Sequence, residues 1–234
     1  MKSSAQLKAD AKFVLKGRWS QAVLMNLVPT LIQLIIGLII LVPLLIFFFT
    51  TNDASSISSM SDTANGGSPG GGGGGIISSV LSALFLSGIS WTYLDLLRGD
   101  KLTISPLKDA CRAFSRLFLG GVIAIVLFTL LFTTLWTLLL IIPGIVKSYA
   151  YSQSSFVYYD VIQGTGEKPK ALDTITASRK LMKGYKMKLF WLDISFIGWH
   201  ILAILTLGIG YLWLSPYITA TKAAFYENLP KDKF

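Results

Sequence analysis

Two stretches of this 234-residue chain place polar side chains at one shared helical interval inside otherwise apolar runs. Lys147, Tyr151, Ser154 and Tyr158 recur at i, i+4, i+7 and i+11, and Ser215, Thr219, Lys222 and Tyr226 repeat that interval. At about 3.6 residues per turn, each set occupies one helix face. Lipid satisfies neither hydroxyls nor ammoniums, so such a face turns toward other helices. Two kinds of chemistry suit it. One is interhelical hydrogen bonding, for which Ser and Thr are common; the other is a hydrated lining for a polar or amphiphilic solute. Ser148, Ser152 and Ser155 flank the first set, and Ser79, Ser82, Ser90 and Tyr93 make a sparser version upstream.

His200, the single histidine, stands well inside another apolar run. A metal site needs several suitable ligands, and His200 has no second His and no nearby Cys, since Cys111 is the only cysteine. It is read as a neutral ring hydrogen-bonded to a neighbouring helix. No metal and no cofactor is expected. Nothing resembles a G-x-S-x-G elbow or an H-E-x-x-H zinc site, so no catalytic residue is assigned and the chain is read as non-enzymatic. Trp91, Trp136, Trp191, Trp199 and Trp213 are read as packing or interfacial anchors.

Three carboxylates close apolar runs in similar company: Tyr93-Leu94-Asp95, Tyr158-Tyr159-Asp160 and Phe225-Tyr226-Glu227. Negative charge is disfavoured at a helix C-terminus, which predicts pairing with Arg98, Lys101, Lys168 or Lys222. Cation or proton handling is the alternative, and Asp193 invites the same two readings. The even recurrence implies a repeated unit.

The elements that position these residues follow from composition. The chain is 53% hydrophobic and 14% charged with mean hydropathy +0.61, too apolar for water to be its natural solvent. Its net charge is +9. The basic residues flank apolar runs instead of forming one patch, which points to anionic lipid headgroups and away from nucleic acid. The expected fold is all-α: a polytopic membrane bundle of about six crossings at residues 21–49, 76–97, 117–142, 144–162, 189–207 and 211–226, arranged as three pseudo-repeated hairpins. A crossing needs about 20 apolar residues. The first run is too long for a signal-peptide core and stays in the mature chain; Pro29 and Pro43 should kink it or mark its ends. Pro143-Gly144 should turn the third run into the fourth.

Charge orients this topology. With segments 1–20, 98–116, 163–188 and 227–234 on the cytoplasmic side, 19 of the 21 Lys and Arg residues lie there, and Lys222, near the cytoplasmic end of the last crossing, makes 20 on that side. The exception is Lys147, near an outer end from which a long side chain snorkels. Both termini are then cytoplasmic. Residues 50–75, rich in Ser and Gly and free of Lys and Arg, form a flexible outer loop; no strand or lysine accompanies the glycine run to make a phosphate cradle. Segments 1–20 and 163–188 are basic and amphipathic. Lys8, Lys12 and Lys16 lie opposite Leu7, Val14, Leu15 and Trp19, and Arg179, Lys183 and Lys186 accompany Leu172, Ile175, Met182, Tyr185 and Leu189. Such helices lie in the membrane interface, and these six cations are the candidate headgroup contacts.

The stretches Leu140 to Ser152 (LIIPGIVKSYAYS), Ser178 to Gly184 (SRKLMKG) and Leu192 to Trp199 (LDISFIGW) resemble a family of bacterial integral membrane proteins, common in gram-positive species and catalogued as domain of unknown function nine-seven-five. The resemblance implies a multi-helix fold and a bacterial cytoplasmic membrane, and assigns no catalytic residue. Two function classes follow. The first and preferred one is a non-catalytic scaffold, envelope-stress or accessory protein that meets lipids, protein partners or further copies of itself. The second is a small transporter or export component using the polar faces of the fourth and sixth crossings.

Overall fold

The computed structural model describes residues 1–51 and 72–231, and their regular structure is entirely helical. Most of the Ser/Gly-rich loop and Lys233 lie outside the described residues. Eleven α-helices are described: α1 (Ser4–Leu15), α2 (Trp19–Thr51), α3 (Gly72–Arg98), α4 (Pro106–Ala110), α5 (Leu119–Leu139), α6 (Ile141–Tyr151), α7 (Ser154–Thr165), α8 (Ala171–Leu181), α9 (Lys186–Ile194), α10 (Ile197–Leu205) and α11 (Tyr211–Glu227). A 3-10 turn, Arg112–Phe114, joins α4 to α5.

Among the described residues, three stretches are long and apolar enough to cross a membrane: Ile77–Arg98, Leu119–Leu139 and Lys186–Leu205. The first is two-thirds buried inside the protein, at 67% of its apolar window, whereas the other two are buried at only 11% and 22%. That contrast divides the bundle. The C-terminal half of α3, α7 as far as Ile162, α11 from Leu214 onward and the apolar face of α1 meet in the core, with Trp91, Tyr93, Tyr158, Phe225 and Tyr226 fully buried. Helices α5 and α10 lie outside it and turn Leu131, Leu135, Ile204 and Leu205 outward. A soluble monomer rarely exposes so continuous an apolar surface.

Local chemistry explains several boundaries and corrects others. Helix α1 begins with a capping box, in which the Ser3 hydroxyl accepts from the Gln6 amide and the Gln6 side chain accepts from the Ser3 amide. Its apolar face, Leu7, Ala11, Val14 and Leu15, is buried, and it packs along α11 with further contact to α3 and α9. It is therefore docked on the bundle. Helix α2 runs through both Pro29 and Pro43, so neither proline marks an end. The turn between α5 and α6 is the single extended residue Leu140, three residues before the predicted Pro143. Pro143 falls in the first turn of α6, where its missing N–H leaves no bond unmade, and Gly144 lets α6 close on α5, since a Cβ there would stand 2.9 Å from the Thr137 Cα.

The expected fourth crossing, 144–162, is not one helix. It breaks at Ser152-Gln153 into α6 and α7. The Ala150 carbonyl at that break accepts from the Ser178 hydroxyl at 2.9 Å, and Ser178 is fully buried. Helix α8 thus fills the break, packed on α5, α6 and α7, instead of lying free in the interface. The fifth, 189–207, likewise divides at Ser195-Phe196 into α9 and α10.

Candidate functional site

The last turns of α3 and α11 converge on the middle of α7, and with them the three carboxylates that the sequence singles out. Arg98, the last residue of α3, grips Asp160 of α7 with a two-pronged bond, Nη1 to Oδ1 at 2.7 Å and Nη2 to Oδ2 at 2.9 Å. Its Nε donates to Glu227 of α11 at 2.8 Å. Lys231 completes this group, 2.9 Å from Glu227 and 3.5 Å from Asp160. Beside it, Arg112 pairs with Asp95 and donates to the Tyr159 hydroxyl at 2.6 Å. Burial alone would lower the pKa of Arg112, but its hydrogen bond to Asp95 and the Asp95 charge outweigh that and raise it. Three carboxylates meet three cations, so the ensemble is electrically balanced.

One pair of contacts occurs twice in this region. The Tyr159 hydroxyl donates to Asp95 at 2.8 Å, across 64 residues, and the Tyr226 hydroxyl donates to Asp160 at 2.8 Å, across 66. The Tyr159 ring stacks on Trp91 at 5.0 Å and 14°, and the Tyr226 ring stacks on Phe156 at 4.8 Å and 15°. Trp91 and Phe156 each stand four residues before the acid concerned. The acids are therefore paired, Asp95 and Glu227 at helix ends as the sequence predicts and Asp160 in the middle of α7, with specific partners that the sequence left open. Asp95 takes Arg112, and Lys168 donates instead to the Arg116 carbonyl at 3.0 Å. Asp193 bridges two helices, with Lys222 of α11 at 3.1 Å and the Tyr149 hydroxyl of α6 donating at 3.2 Å.

The two polar faces do not line a common space. Lys147 rests its ammonium over the Trp136 ring at 4.4 Å, and the Tyr151 ring lies 6.2 Å from Phe132. Ser154 is buried and returns its hydroxyl to the Tyr151 carbonyl at 2.7 Å; Tyr158 is buried against Gly121. In α11 the Thr219 hydroxyl donates to the Ser215 carbonyl at 3.0 Å, while Lys222 and Tyr226 are held by Asp193 and Asp160. His200 Nδ1 lies 3.3 Å from the Tyr211 hydroxyl, on the neighbouring helix. Among the described residues, the polar atoms buried without a partner are the hydroxyls of Thr129, Thr133 and Tyr158 and the Gln153 Oε1. Sequence reasoning missed Gln153, whose amide nitrogen donates to Ser152.

The basic residues also separate. Lys16, Arg179 and Lys183 are exposed, Lys12 is exposed with its ammonium 5.7 Å from the Tyr217 ring, and Lys186 is half-buried. Lys8 turns inward, donating to the Ser195 carbonyl at 3.0 Å over the Phe196 ring. Burial, then the nearby Lys12 charge, lower its pKa from the ordinary amine value. Its role in the fold is to tie α1 to the α9–α10 junction, which the amphipathic pattern did not reveal.

Residues 123–233, from within α5 to the tail, match the model of the family described as "Protein of unknown function (DUF975)". Neither a curated protein nor a solved structure matches the chain.

Proposed function

Because residues 123–233 belong to that family, which the sequence resemblance also names, we propose that this chain is a non-catalytic polytopic protein of a bacterial cytoplasmic membrane, with a scaffold, envelope-stress or accessory role. Six crossings form three hairpins related by pseudo-repetition, and both termini are cytoplasmic. The duplicated Tyr-to-Asp and ring-stacking contacts at offsets of 64 and 66 residues support that repetition. The observation that carries the non-transport reading is where the polar faces go. Ser154 and Thr219 bond to their own helices, Lys222 and Tyr226 are held by carboxylates, and none of the four lines the groove at the start of α1 or the cavity beside Asp95 and Arg112. A path for solute would need those groups to meet water. The export reading keeps one favourable observation, the unpaired Thr129, Thr133 and Gln153 side-chain oxygens.

Thiol chemistry separates the two. In a Cys111-free background, single cysteines at Ser154 and Thr219 should resist a small water-soluble thiol reagent in open membranes, under conditions in which the exposed Cys111 of the wild-type chain reacts fully. Rapid modification at either position overturns the scaffold reading.

Topology has its own test. On intact cells an impermeant reagent should label a cysteine at Ser68 and spare one at Lys183. Lys183 suits this better than Ser178, because a buried Ser178 would be silent from either side. Labelling of Lys183→Cys from outside removes the six-crossing arrangement.

A further inference from the structure

A groove of about 410 Å³ opens between the start of α1 and α9, lined among others by Lys2, Ser4, Leu7, Lys188, Trp191 and Phe225. Its floor is apolar, since Leu7 and Phe225 are buried. Its mouth is cationic. Lys188 faces no carboxylate among the described residues and has its ammonium 5.5 Å from the Tyr185 ring, while Lys2 pairs with Asp10, which lies outside the lining. No acidic residue lines the groove.

What lies beyond the mouth decides the kind of ligand. Trp191 is 59% exposed, and past it α10 turns Ile197, Ile201 and Ile204 outward, on a stretch long enough to cross a membrane. A cationic pocket that opens onto an apolar membrane-length surface fits a molecule with an anionic head and hydrocarbon chains. An indole at the boundary suits the headgroup level, where Trp is enriched. A soluble phosphate would use the lysines and leave the apolar strip uncovered.

We propose that this groove binds the headgroup of an anionic phospholipid, with Lys2 and Lys188 on its phosphate, Trp191 at the level of the glycerol backbone and the acyl chains along the exposed face of α10. The inference rests on the membrane reading above and adds a defined lipid site to it. The site differs from the exposed lysines of α1, which meet headgroups only as a diffuse surface.

The test uses the full chain in phosphatidylcholine nanodiscs with and without phosphatidylglycerol. Each of Lys2→Gln and Lys188→Gln should weaken retention of phosphatidylglycerol through detergent washing by about fivefold, the factor for one interfacial charge. Lys108→Gln, exposed on α4 outside the groove, should leave it unchanged. Brominated phosphatidylglycerol should quench wild-type fluorescence more than that of Trp191→Phe, giving a readout independent of the lysines. Equal retention of phosphatidylcholine, unchanged retention in both lysine variants, or displacement by inorganic phosphate overturns the lipid site. A chain that integrates into bilayers yet shows no phosphatidylglycerol preference loses this inference alone, whereas failure to integrate removes the membrane reading with it.

Discussion

Arg98→Met should lower the stability of the detergent-solubilised chain by about 3 kcal/mol, the usual scale when one partner of a desolvated ion pair is removed. The reason is geometric. Arg98 joins the last turns of α3 and α11 to the middle of α7, and it satisfies Asp160 and Glu227 together. The Asp160 side chain is only 14% exposed, so without the guanidinium its charge faces Tyr226 and a lysine at 3.5 Å. Arg98→Lys should recover only part of the loss, because one ammonium cannot make the fork to Asp160 and reach Glu227 as well. Asp160→Asn should destabilise too, and the combined Arg98→Met, Asp160→Asn variant should lose less than the sum of the two, as coupled partners do. Thermal unfolding of the four variants in mild detergent measures all of this. A melting curve for Arg98→Met superimposable on the wild type would mean that the cluster is a surface decoration and that the three helices are held by packing alone.

Much of that cluster could be read from sequence because its signals are local. An acid at a helix C-terminus is electrostatically misplaced, and three acids that the sequence pattern puts there, with aromatic neighbours, announce both a repeated unit and a need for cations. The same logic placed Lys222 near an acid. What the sequence could not supply was the partner list. Arg112 reaches Asp95 across 17 residues and Arg98 reaches Glu227 across 129, and no periodicity ranks one arginine over another at such distances.

The break at Ser152-Gln153 was invisible for a related reason. Neither residue is a strong helix breaker, and the carbonyl exposed by the break finds its donor in Ser178, 28 residues away on a segment that reads as an amphipathic helix of the membrane interface. Helix α8 has the interface pattern, yet its buried positions Thr174, Ile175, Ser178 and Leu181 pack on the bundle. An amphipathic face states that something must cover it and leaves open whether lipid or protein does. The same ambiguity explains Lys8, which the pattern placed among headgroup contacts and the fold turns toward Ser195.

Gly121→Ala should be the most damaging single-methyl change in the bundle, because an added Cβ would overlap the hydroxyl and ring of Tyr158, fully buried on the facing helix. Overpacking of this kind costs about 1–3 kcal/mol or more when the neighbour cannot move. Tyr158→Leu should restore most of it by vacating the space. Tyr158→Phe in the wild-type background should be neutral or slightly stabilising, since it removes a buried hydroxyl that has no partner and leaves the ring contacts in place. The pair of outcomes bears on function as well as packing. Tyr158 is the innermost member of a polar face that would line any solute path, and a hydroxyl required by such a path could not be deleted without cost. Stability from thermal melts and a growth or export phenotype from the same variants are the measurements. If Gly121→Ala is tolerated while Tyr158→Phe abolishes the phenotype at normal folded yield, the face between α5 and α7 is open enough for water, and the scaffold reading gives way to export.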